Sequence, residues 1–308
     1  MRPPAVIVSL TLGLVAVGLK AQAPLVFRSE IGVVYLHATV RNERGELVTN
    51  LGPSAFTVYE SGARQTLSVF RHDDVPISLG ILLDNSGSMR EARPLVEAAA
   101  LAALRASNPA DETFIMNFAD KAKVDVPFMS DLAALSAGVA RLDSIGGTAL
   151  RDAIASALDH LEDHAKNQRK VLLVITDGND NASETPMDRI KQQAERSDVA
   201  VYAVGLLHQG DPSKVERGRD ALSALTESSG GLAQYPATAD QAGAAAREIA
   251  GQMRHLYTLG YSPAAQMLDG SYRKVRVVAK GPERLHVRTR PGYWAKPTVP
   301  KRDGAGAP

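Results

Sequence analysis

The strongest constraint on the fold is an alternation of two patterns over residues 76–261. Short, β-rich apolar runs alternate there with longer segments of helical periodicity, which is typical of a parallel sheet with crossover helices. Two runs, 82–83 and 172–175, are almost continuously apolar, as expected for central strands covered on both faces. Each of them leads into an aspartate. We therefore predict an α/β fold with a doubly wound, mainly parallel, Rossmann-like sheet.

Within this region the periodicity predicts six strands and six helices. The strands are expected at 77–83, 113–118, 123–127, 171–176, 200–205 and 255–261, and the helices near 90–105, 131–142, 150–164, 186–196, 219–228 and 240–253. The polar stretch 208–219 follows a strand end, and we interpret it as a solvated connector. The alternative is that it shapes the choice of partner.

Shorter segments of two-residue periodicity flank the α/β region. Residues 30–70 carry three such runs, and 272–278 and 285–290 carry two more. Neither flank is large enough to bury a core alone, so we expect them to combine. This predicts a small β-sandwich-like domain built from an N-terminal segment, 24–74, and a C-terminal segment, 262–295, with a domain at 75–261 inserted between them.

The two ends of the chain have distinct compositions. Arg2, an apolar run at 5–19 and the tripeptide Ala21-Gln22-Ala23 form a secretory signal pattern, with cleavage expected after Ala23. An uncleaved anchor or a buried helix is the alternative. We expect a secreted or periplasmic protein whose mature chain has no transmembrane span. Residues 296–308 consist mainly of Pro, Gly and charged residues, which predicts a disordered tail.

Composition excludes several classes of protein. The chain has 35 basic and 34 acidic residues, so no net field favours nucleic acid or an anionic membrane. Basic residues at 273–290 alternate along strands, which favours a charged outer sheet face over a nucleic-acid surface. Because the chain has no Cys, disulfides and thiol chemistry are excluded. No P-loop, GxGxxG fingerprint or GxSxG elbow occurs at a strand-to-helix junction.

Oxygen-bearing residues cluster at the predicted strand ends. Asp84, Ser86 and Ser88 place one carboxylate and two hydroxyls on a single tight loop. Thr148 precedes a predicted helix, and Asp177 follows the second apolar strand. Ligands of open parallel sheets bind at the carboxyl ends of the strands, where the strand order reverses. Hydroxyls and water-bridged carboxylates suit a hard divalent ion such as Mg²⁺.

These residues resemble the metal-ion-dependent adhesion site of the von Willebrand factor A domain family, known as the I domain in integrins. The family pattern is Asp-x-Ser-x-Ser on the first loop, Thr on the second and Asp on the third. Asp84, Ser86, Ser88, Thr148 and Asp177 match it without departure. The flanks FTVYESGARQ and VRTRPGYW also look like bacterial exported proteins described as VWFA-related, although these motifs are less specific.

The resemblance implies that Ser86, Ser88 and Thr148 coordinate Mg²⁺ or Mn²⁺ directly, while Asp84 and Asp177 act mostly through water. A cation without direct anionic ligands stays electrophilic, so a partner's Asp or Glu carboxylate can complete its shell. The function expected from the resemblance is metal-dependent capture of a protein ligand, with no bond broken and hence no enzyme activity. The oligomeric state is left open.

Other interpretations of these features remain. The first loop alone could be a helix-capping loop. An envelope scaffold or assembly protein with an incidental metal site is a second function, and a metal-dependent hydrolase is a third. His160 and His164 lie four residues apart on a predicted helix, but their surroundings do not match zinc-protease motifs, so we interpret them as a solvated face. Asp180 could support the metal ligands from behind, but an exposed polar turn explains it equally well, so it is not included among the predicted ligands.

Overall fold

The computed structural model describes residues 33–72, 74–140, 146–207, 211–263 and 270–295. The predicted signal peptide at 1–23 and the predicted disordered tail at 296–308 lie outside these residues. The described part contains the following strands and helices.

The strands are β1 (Val34–Arg41), β2 (Phe56–Glu60), β3 (Ala63–Gln65), β4 (Leu67–Arg71), β5 (Ile77–Asp84), β6 (Glu112–Phe118), β7 (Ala122–Met129), β8 (Arg169–Thr176), β9 (Val199–Gly205), β10 (Ala233–Gln234), β11 (Tyr257–Tyr261), β12 (Tyr272–Ala279), β13 (His286–Arg288) and β14 (Gly292–Trp294). The helices are α1 (Arg93–Arg105), α2 (Leu132–Val139), α3 (Leu150–His164), α4 (Met187–Arg196), α5 (Pro212–Ser229) and α6 (Ala239–Arg254).

A six-stranded sheet in the order β10-β9-β8-β5-β6-β7 forms the centre of the α/β part. All neighbouring pairs are parallel except β6 and β7, which form an antiparallel pair at one edge. The chain passes from β5 to β6 on one side and later returns through β8 on the other side. The strand order therefore reverses at β5 and β8, the two strands with nearly continuous apolar sequences.

Helices cover both faces of this sheet because its central strands are apolar on both sides. All eight residues of β5 are buried. Odd-numbered β5 residues such as Ile81 pack with α1, α2 and α6 in one core. Leu82 packs with α3, α4 and α5 in a second core on the other face. This arrangement confirms the predicted doubly wound α/β fold.

Two four-stranded sheets, β13-β1-β11-β4 and β14-β12-β2-β3, form the β part. The C-terminal strand β12 pairs with β2, and β13 pairs with β1, both antiparallel. Leu36, Val58 and Val277 belong to one buried core shared by the two sheets. The exposed Lys274, Arg276 and Lys280 alternate with buried neighbours, so they lie on the outer face.

The structure corrects two predictions. The segment 255–261 was expected in the parallel sheet, but β11 pairs antiparallel with β1 and β4 in the β part. Its five residues are all buried, and burial alone does not tell which sheet receives an apolar strand. The stretch 208–219 was interpreted as a connector, yet α5 begins at Pro212, after the capping Asp211. That helix begins earlier because Asp211 accepts a hydrogen bond from the Ser213 amide and Pro suits the first helical turn.

Three short strands, β3, β10 and β14, were not predicted; each has only two or three residues, too few to show a period. Among the described residues, no helix combines the length and apolar character that crossing a bilayer requires.

Candidate metal centre

The first loop of the site begins at the carboxyl end of β5. Asp84 is the last residue of that strand, and its Oδ1 accepts a hydrogen bond from the Ser86 amide at 3.0 Å. The Ser86 and Ser88 hydroxyl oxygens lie 3.1 Å apart. A short 3-10 helix at Gly87–Met89 then leads towards α1, and buried Met89 anchors it in the core. The loop therefore orients one carboxylate and two hydroxyls together.

The third loop joins the first directly. Thr176, the last residue of β8, donates its hydroxyl hydrogen to Asp84 Oδ2 at 2.6 Å and accepts a hydrogen bond from the Gly178 amide at 3.0 Å. Asp177 Oδ1 accepts from the Asn179 amide at 2.9 Å. The parallel pairing of β5 with β8 brings these two loops together, although 92 positions separate Asp84 from Thr176.

The second loop, which precedes α3, contacts both of the others. Gly146 accepts a hydrogen bond from the Gly87 amide through its carbonyl oxygen at 3.1 Å. The Thr148 amide donates to Asn181 Oδ1 at 2.8 Å, and the Asn181 amide donates to the Thr148 carbonyl at 3.0 Å. Gly146 has a φ of 100°, which favours glycine at this position. Hydrogen bonds thus connect all three loops that carry the predicted ligands.

The five predicted ligands differ in burial. Asp84, Ser86 and Thr148 are at most 2% exposed, whereas Asp177 is partly exposed and Ser88 is exposed. The set therefore extends from the sheet edge to the surface, as a site that meets an external ligand requires. Burial raises the pKa of Asp84 to about 7; hydrogen bonds from Ser86 and Thr176 oppose this shift, and the Asp177 carboxylate adds to it.

The donor set fits a hard divalent cation. In an octahedral shell with bonds of about 2.0–2.1 Å, neighbouring ligand oxygens are roughly 2.9 Å apart. The 3.1 Å separation of the Ser86 and Ser88 hydroxyls is close to that value. Among the described residues, no three His, Cys, Asp or Glu side chains converge to hold a metal ion. A site built from two carboxylates and three hydroxyls does not depend on such a cluster.

Sequence reasoning did not assign a role to three residues around the site. Thr176 orients Asp84, Asn181 binds the second loop, and Asp120 Oδ1 accepts a hydrogen bond from the Gly147 amide at 2.8 Å. Asp120 lies just beyond the carboxyl end of β6, so a search for polar residues after every predicted parallel strand would have found it. Its neighbour Ala119 also accepts a hydrogen bond, from the Ala149 amide at 2.7 Å.

Asp180 supports the second and third loops but was not predicted as a ligand. It forms an ion pair with Arg151 at the start of α3, with Arg151 Nε 3.0 Å from its Oδ2. It also accepts hydrogen bonds from the Arg151 amide and the Ser183 hydroxyl. The carboxylate is thus engaged by α3 and by its own turn, which indicates a structural role.

His160 of α3 is packed against aromatic side chains, whereas His164 is exposed. The His160 ring contacts Phe114 and Phe128, with ring centroids 4.6 and 5.5 Å apart, and stacks on His164 at 4.4 Å. Burial, followed by the neighbouring His164, lowers the pKa of His160. The interpretation as a solvated face is therefore wrong for His160, because β6 and β7 supply aromatic contacts that helical spacing alone does not reveal.

Comparison with known proteins finds a similarity in the central part of the chain. A family model described as the von Willebrand factor type A domain matches residues 79–179, which include β5, β6, β8 and all three loops. No curated protein matches the sequence significantly.

The solved structures that resemble this chain are distant from it in sequence. A von Willebrand factor type A protein from Catenulispora acidiphila is 16% identical, with 84% of this chain and 74% of that chain covered and a TM-score of 0.49. Proximal thread matrix protein 1 from the mussel byssus, with a zinc-occupied MIDAS motif, is 17% identical, with 62% and 48% covered and a TM-score of 0.50. BatB from Bacteroides thetaiotaomicron is 20% identical, with 57% and 98% covered and a TM-score of 0.44. At 17% identity, the similarity to the byssus protein concerns the fold alone.

Proposed function

We propose that this protein is an exported, metal-ion-dependent binding module that captures an acidic group of a protein ligand. The observation that carries the proposal is the convergence of three loops, joined by hydrogen bonds, at the point where the strand order of the sheet reverses. The proposed metal is Mg²⁺ or Mn²⁺, and the proposed ligand set is Asp84, Ser86, Ser88, Thr148 and Asp177.

Each residue of the set has a distinct role in this proposal. The hydroxyls of Ser86, Ser88 and Thr148 hold the cation, and the Asp84 and Asp177 carboxylates act mainly through water. Thr176 and the Ser86 amide orient the Asp84 carboxylate from two sides. When bound, the divalent cation supplies an electrophilic position for a carboxylate oxygen of the partner. Because Ser88 is exposed, the partner can approach from that side.

We propose binding rather than catalysis because no His or Lys side chain is among the described groups that connect the three loops, and the Asp84 and Asp177 carboxylates are assigned to the cation. The hydrogen bonds that connect the three loops involve carboxylates, hydroxyls, one amide and backbone groups. A hydrolase of this type would need a group that removes a proton from the attacking water. Metal-dependent turnover of peptide, phosphate or glycan substrates would contradict this part of the proposal.

The proposed location is the periplasm or the exterior of the cell, and the proposed signal peptide is 1–23. Support comes from the charged start, the apolar run and the small-residue cleavage pattern of this segment. The N-terminal sequence of the purified mature protein tests this point directly. A mature chain that begins at Pro24 supports it, whereas a chain that retains residues 1–23 contradicts cleavage.

Calorimetric titration with Mg²⁺ and Mn²⁺ tests the metal site. We expect saturable binding by the wild type and at least tenfold weaker binding by Asp84→Asn, which keeps the side-chain shape but removes the charge. Asp163→Asn is the matched control, because Asp163 is an exposed residue of α3. Absence of saturable binding by the folded wild type would contradict the proposed site.

Capture of partners from a cell-envelope extract, with and without EDTA, tests the proposed function separately. Loss of the captured partners in EDTA supports metal-bridged recognition. Unchanged partners in EDTA would favour the envelope scaffold, in which the β part makes the contacts and the metal site is incidental.

A further inference from the structure

A second concave region lies at the opposite end of the parallel sheet. It has a volume of about 800 Å³ and is lined by residues from β1, β8, β9 and β14, including Tyr35, His37, Arg169, Val199 and Trp294. Arg169 begins β8 and Thr176 ends it, so the cleft is about 23 Å from the candidate metal centre at 3.3 Å per residue. Clefts of 300–1,000 Å³ are typical of small-molecule sites.

Arg169 is a buried cation at this cleft. It is 4% exposed, and it donates hydrogen bonds to the Met253 carbonyl and to Thr258 Oγ1, both at 3.2 Å. Its Nε has no hydrogen-bond partner among the described residues. Asp74, whose charge acts on Arg169, is itself in an ion pair with Arg254. A buried guanidinium without a paired carboxylate is costly, so an anion that enters the cleft would be stabilised.

Other charges around the cleft reinforce this positive character. Six Lys or Arg residues and two acidic residues line it. Both acidic residues have partners, since Glu195 accepts a hydrogen bond from Trp294 Nε1 at 3.1 Å and Asp198 lies 3.2 Å from Arg290 Nη1. Arg290 also has an unpartnered Nε among the described residues. Burial is the main cause that lowers the pKa of His37 to about 4, and the charges of Arg169 and Arg290 lower it further.

The rest of the cleft wall is largely apolar. Val34, Val199 and Pro263 contribute aliphatic surface, and Tyr35, whose exposure is 47%, is one of the most exposed large apolar side chains. The Arg196 guanidinium lies 4.8 Å from the Trp294 ring centroid, beside this apolar wall. A buried cation next to apolar surface favours a ligand that has one charged end and one apolar end.

We propose that this cleft binds a small amphipathic anion, with its carboxylate or phosphate head at Arg169 and its apolar body against Val199 and Trp294. Nη1 and Nη2 of Arg169 each donate one hydrogen bond within the protein, so the head group would meet their remaining N–H groups and the unpartnered Nε; a guanidinium pairs with either a carboxylate or a phosphate. The site is separate from the candidate metal centre and does not require a metal ion.

Ligand binding in the cleft can be measured by the fluorescence of Trp294, because it is the only tryptophan of the chain. Bromine-labelled decanoate quenches tryptophan on contact, so we expect saturable quenching of Trp294 fluorescence in the full chain. Unlabelled decanoate should reverse the quenching, whereas decanol and acetate, which lack the head or the apolar body, should not. A comparison of decyl phosphate with decanoate shows which head group the cleft prefers. Reversal of the quenching by either anion supports the proposal. Absence of saturable quenching would overturn it.

Substitutions of the cleft arginines test where the anionic head group of the ligand binds. We expect Arg169→Met to weaken decanoate binding at least tenfold, whereas Arg105→Met, an equal change of charge at an exposed residue of α1, leaves it unchanged. If Arg169→Met does not fold, Arg290→Met is the second variant, with an expected weakening of at least threefold. Unchanged binding by a folded Arg169 variant would overturn the assignment of the head group.

One competing occupant can be tested with the same fluorescence. A synthetic peptide of residues 24–32 contains Glu30 and three consecutive apolar residues, so it also combines an acidic group with apolar side chains. We expect unlabelled decanoate to displace the bromine-labelled decanoate, and we expect the peptide to leave the quenching unchanged. Displacement by the peptide at lower concentration than by decanoate would overturn the proposal and assign the cleft to this chain's own N-terminal segment.

Discussion

At the scale of single residues, the candidate metal centre depends on side chains that do not coordinate anything themselves. Thr176 illustrates this, because its hydroxyl donates to Asp84 and accepts from the Gly178 amide. One hydroxyl therefore connects the first and third loops. The motif predicts the ligands, but a positioning residue of this kind becomes recognisable only when its contacts are known.

Replacement of Thr176 by Val should test this role with little change of volume. We expect Thr176→Val to lower the free energy of unfolding by about 1–3 kcal/mol, because the buried Asp84 carboxylate loses a donor. Mg²⁺ affinity should also fall several-fold. Thr176→Ser, which retains the hydroxyl, is the matched control. Urea unfolding and calorimetry measure both effects, and wild-type metal affinity in the Val variant would contradict the positioning role.

His37 should make stability depend on pH. Its pKa is lowered by burial, and by Arg169 and Arg290, from 6.5 to about 4. Between these values the unfolded chain binds a proton that the folded chain does not, so stability falls as the pH falls from about 6.5 to 4. Over this pH range, the contribution of His37 lowers the free energy of unfolding by about 3 kcal/mol.

The matched variant is His37→Asn, which cannot titrate but can still contact Thr258. We expect the wild type to lose more stability than this variant between pH 7 and pH 4 in urea unfolding. If the free energy of unfolding changes equally with pH in the two proteins, His37 does not contribute to the pH dependence of stability.

At the scale of elements, the third loop is positioned by close packing against α5. Gly178 has a φ of 76°, and a Cβ at this residue would lie 3.0 Å from the Gly218 Cα of α5. Two glycines thus allow the loop and the helix to approach each other. The sequence shows both glycines, but their contact depends on where α5 packs.

Substitution of Gly178 by Ala should therefore disturb both stability and metal binding. We expect a loss of about 1–2 kcal/mol from the left-handed conformation, and weaker Mg²⁺ binding because Asp177 is displaced. Gly251→Ala in α6 is the control, since a Cβ there would contact nothing within 4 Å. The control should keep wild-type metal affinity and be as stable or up to about 1 kcal/mol more stable. Equal stability and equal Mg²⁺ affinity of the Gly178 and Gly251 variants would contradict the proposed role of the contact between the third loop and α5.

At the scale of the whole molecule, the α/β and β parts are interlocked. The described residues between 33 and 295 all belong to one compact unit. The ring of Trp294 in β14 packs near Arg196 of α4, and its Nε1 binds Glu195, so this side chain joins the two parts. The strand β11 follows α6 directly and enters the centre of a β sheet. Unfolding of one part should therefore disrupt the other.

Leu36 and Leu132 form a matched pair for testing this cooperativity. Leu36 is fully buried in the β core, so Leu36→Ala should cost about 2–5 kcal/mol. Leu132 is 45% exposed, and Leu132→Ala should have a small effect. In Leu36→Ala, far-UV circular dichroism and Trp294 fluorescence should shift together during unfolding. Separate transitions would contradict a single cooperative unit.

The fold class and the candidate ligands could be predicted from the sequence alone. Alternating apolar and helical patterns predict local structure because burial on both faces of a strand requires a continuous apolar run, as at 172–175. Asp84, Ser86, Ser88, Thr148 and Asp177 were also recognisable, because a contiguous motif and two loop residues retain their order and spacing along the chain. Their roles as metal ligands stay a prediction that the titration tests.

Which distant segments of the chain meet could not be predicted in this way. The pairing of β11 with β1 and β4, the contact of Thr176 with Asp84 and the cleft around Arg169 all join residues far apart in the chain. Local periodicity reports that a residue is buried, but it does not report against which partner. That choice depends on the packing of complete elements, because each buried face can be covered by more than one apolar segment of the same chain.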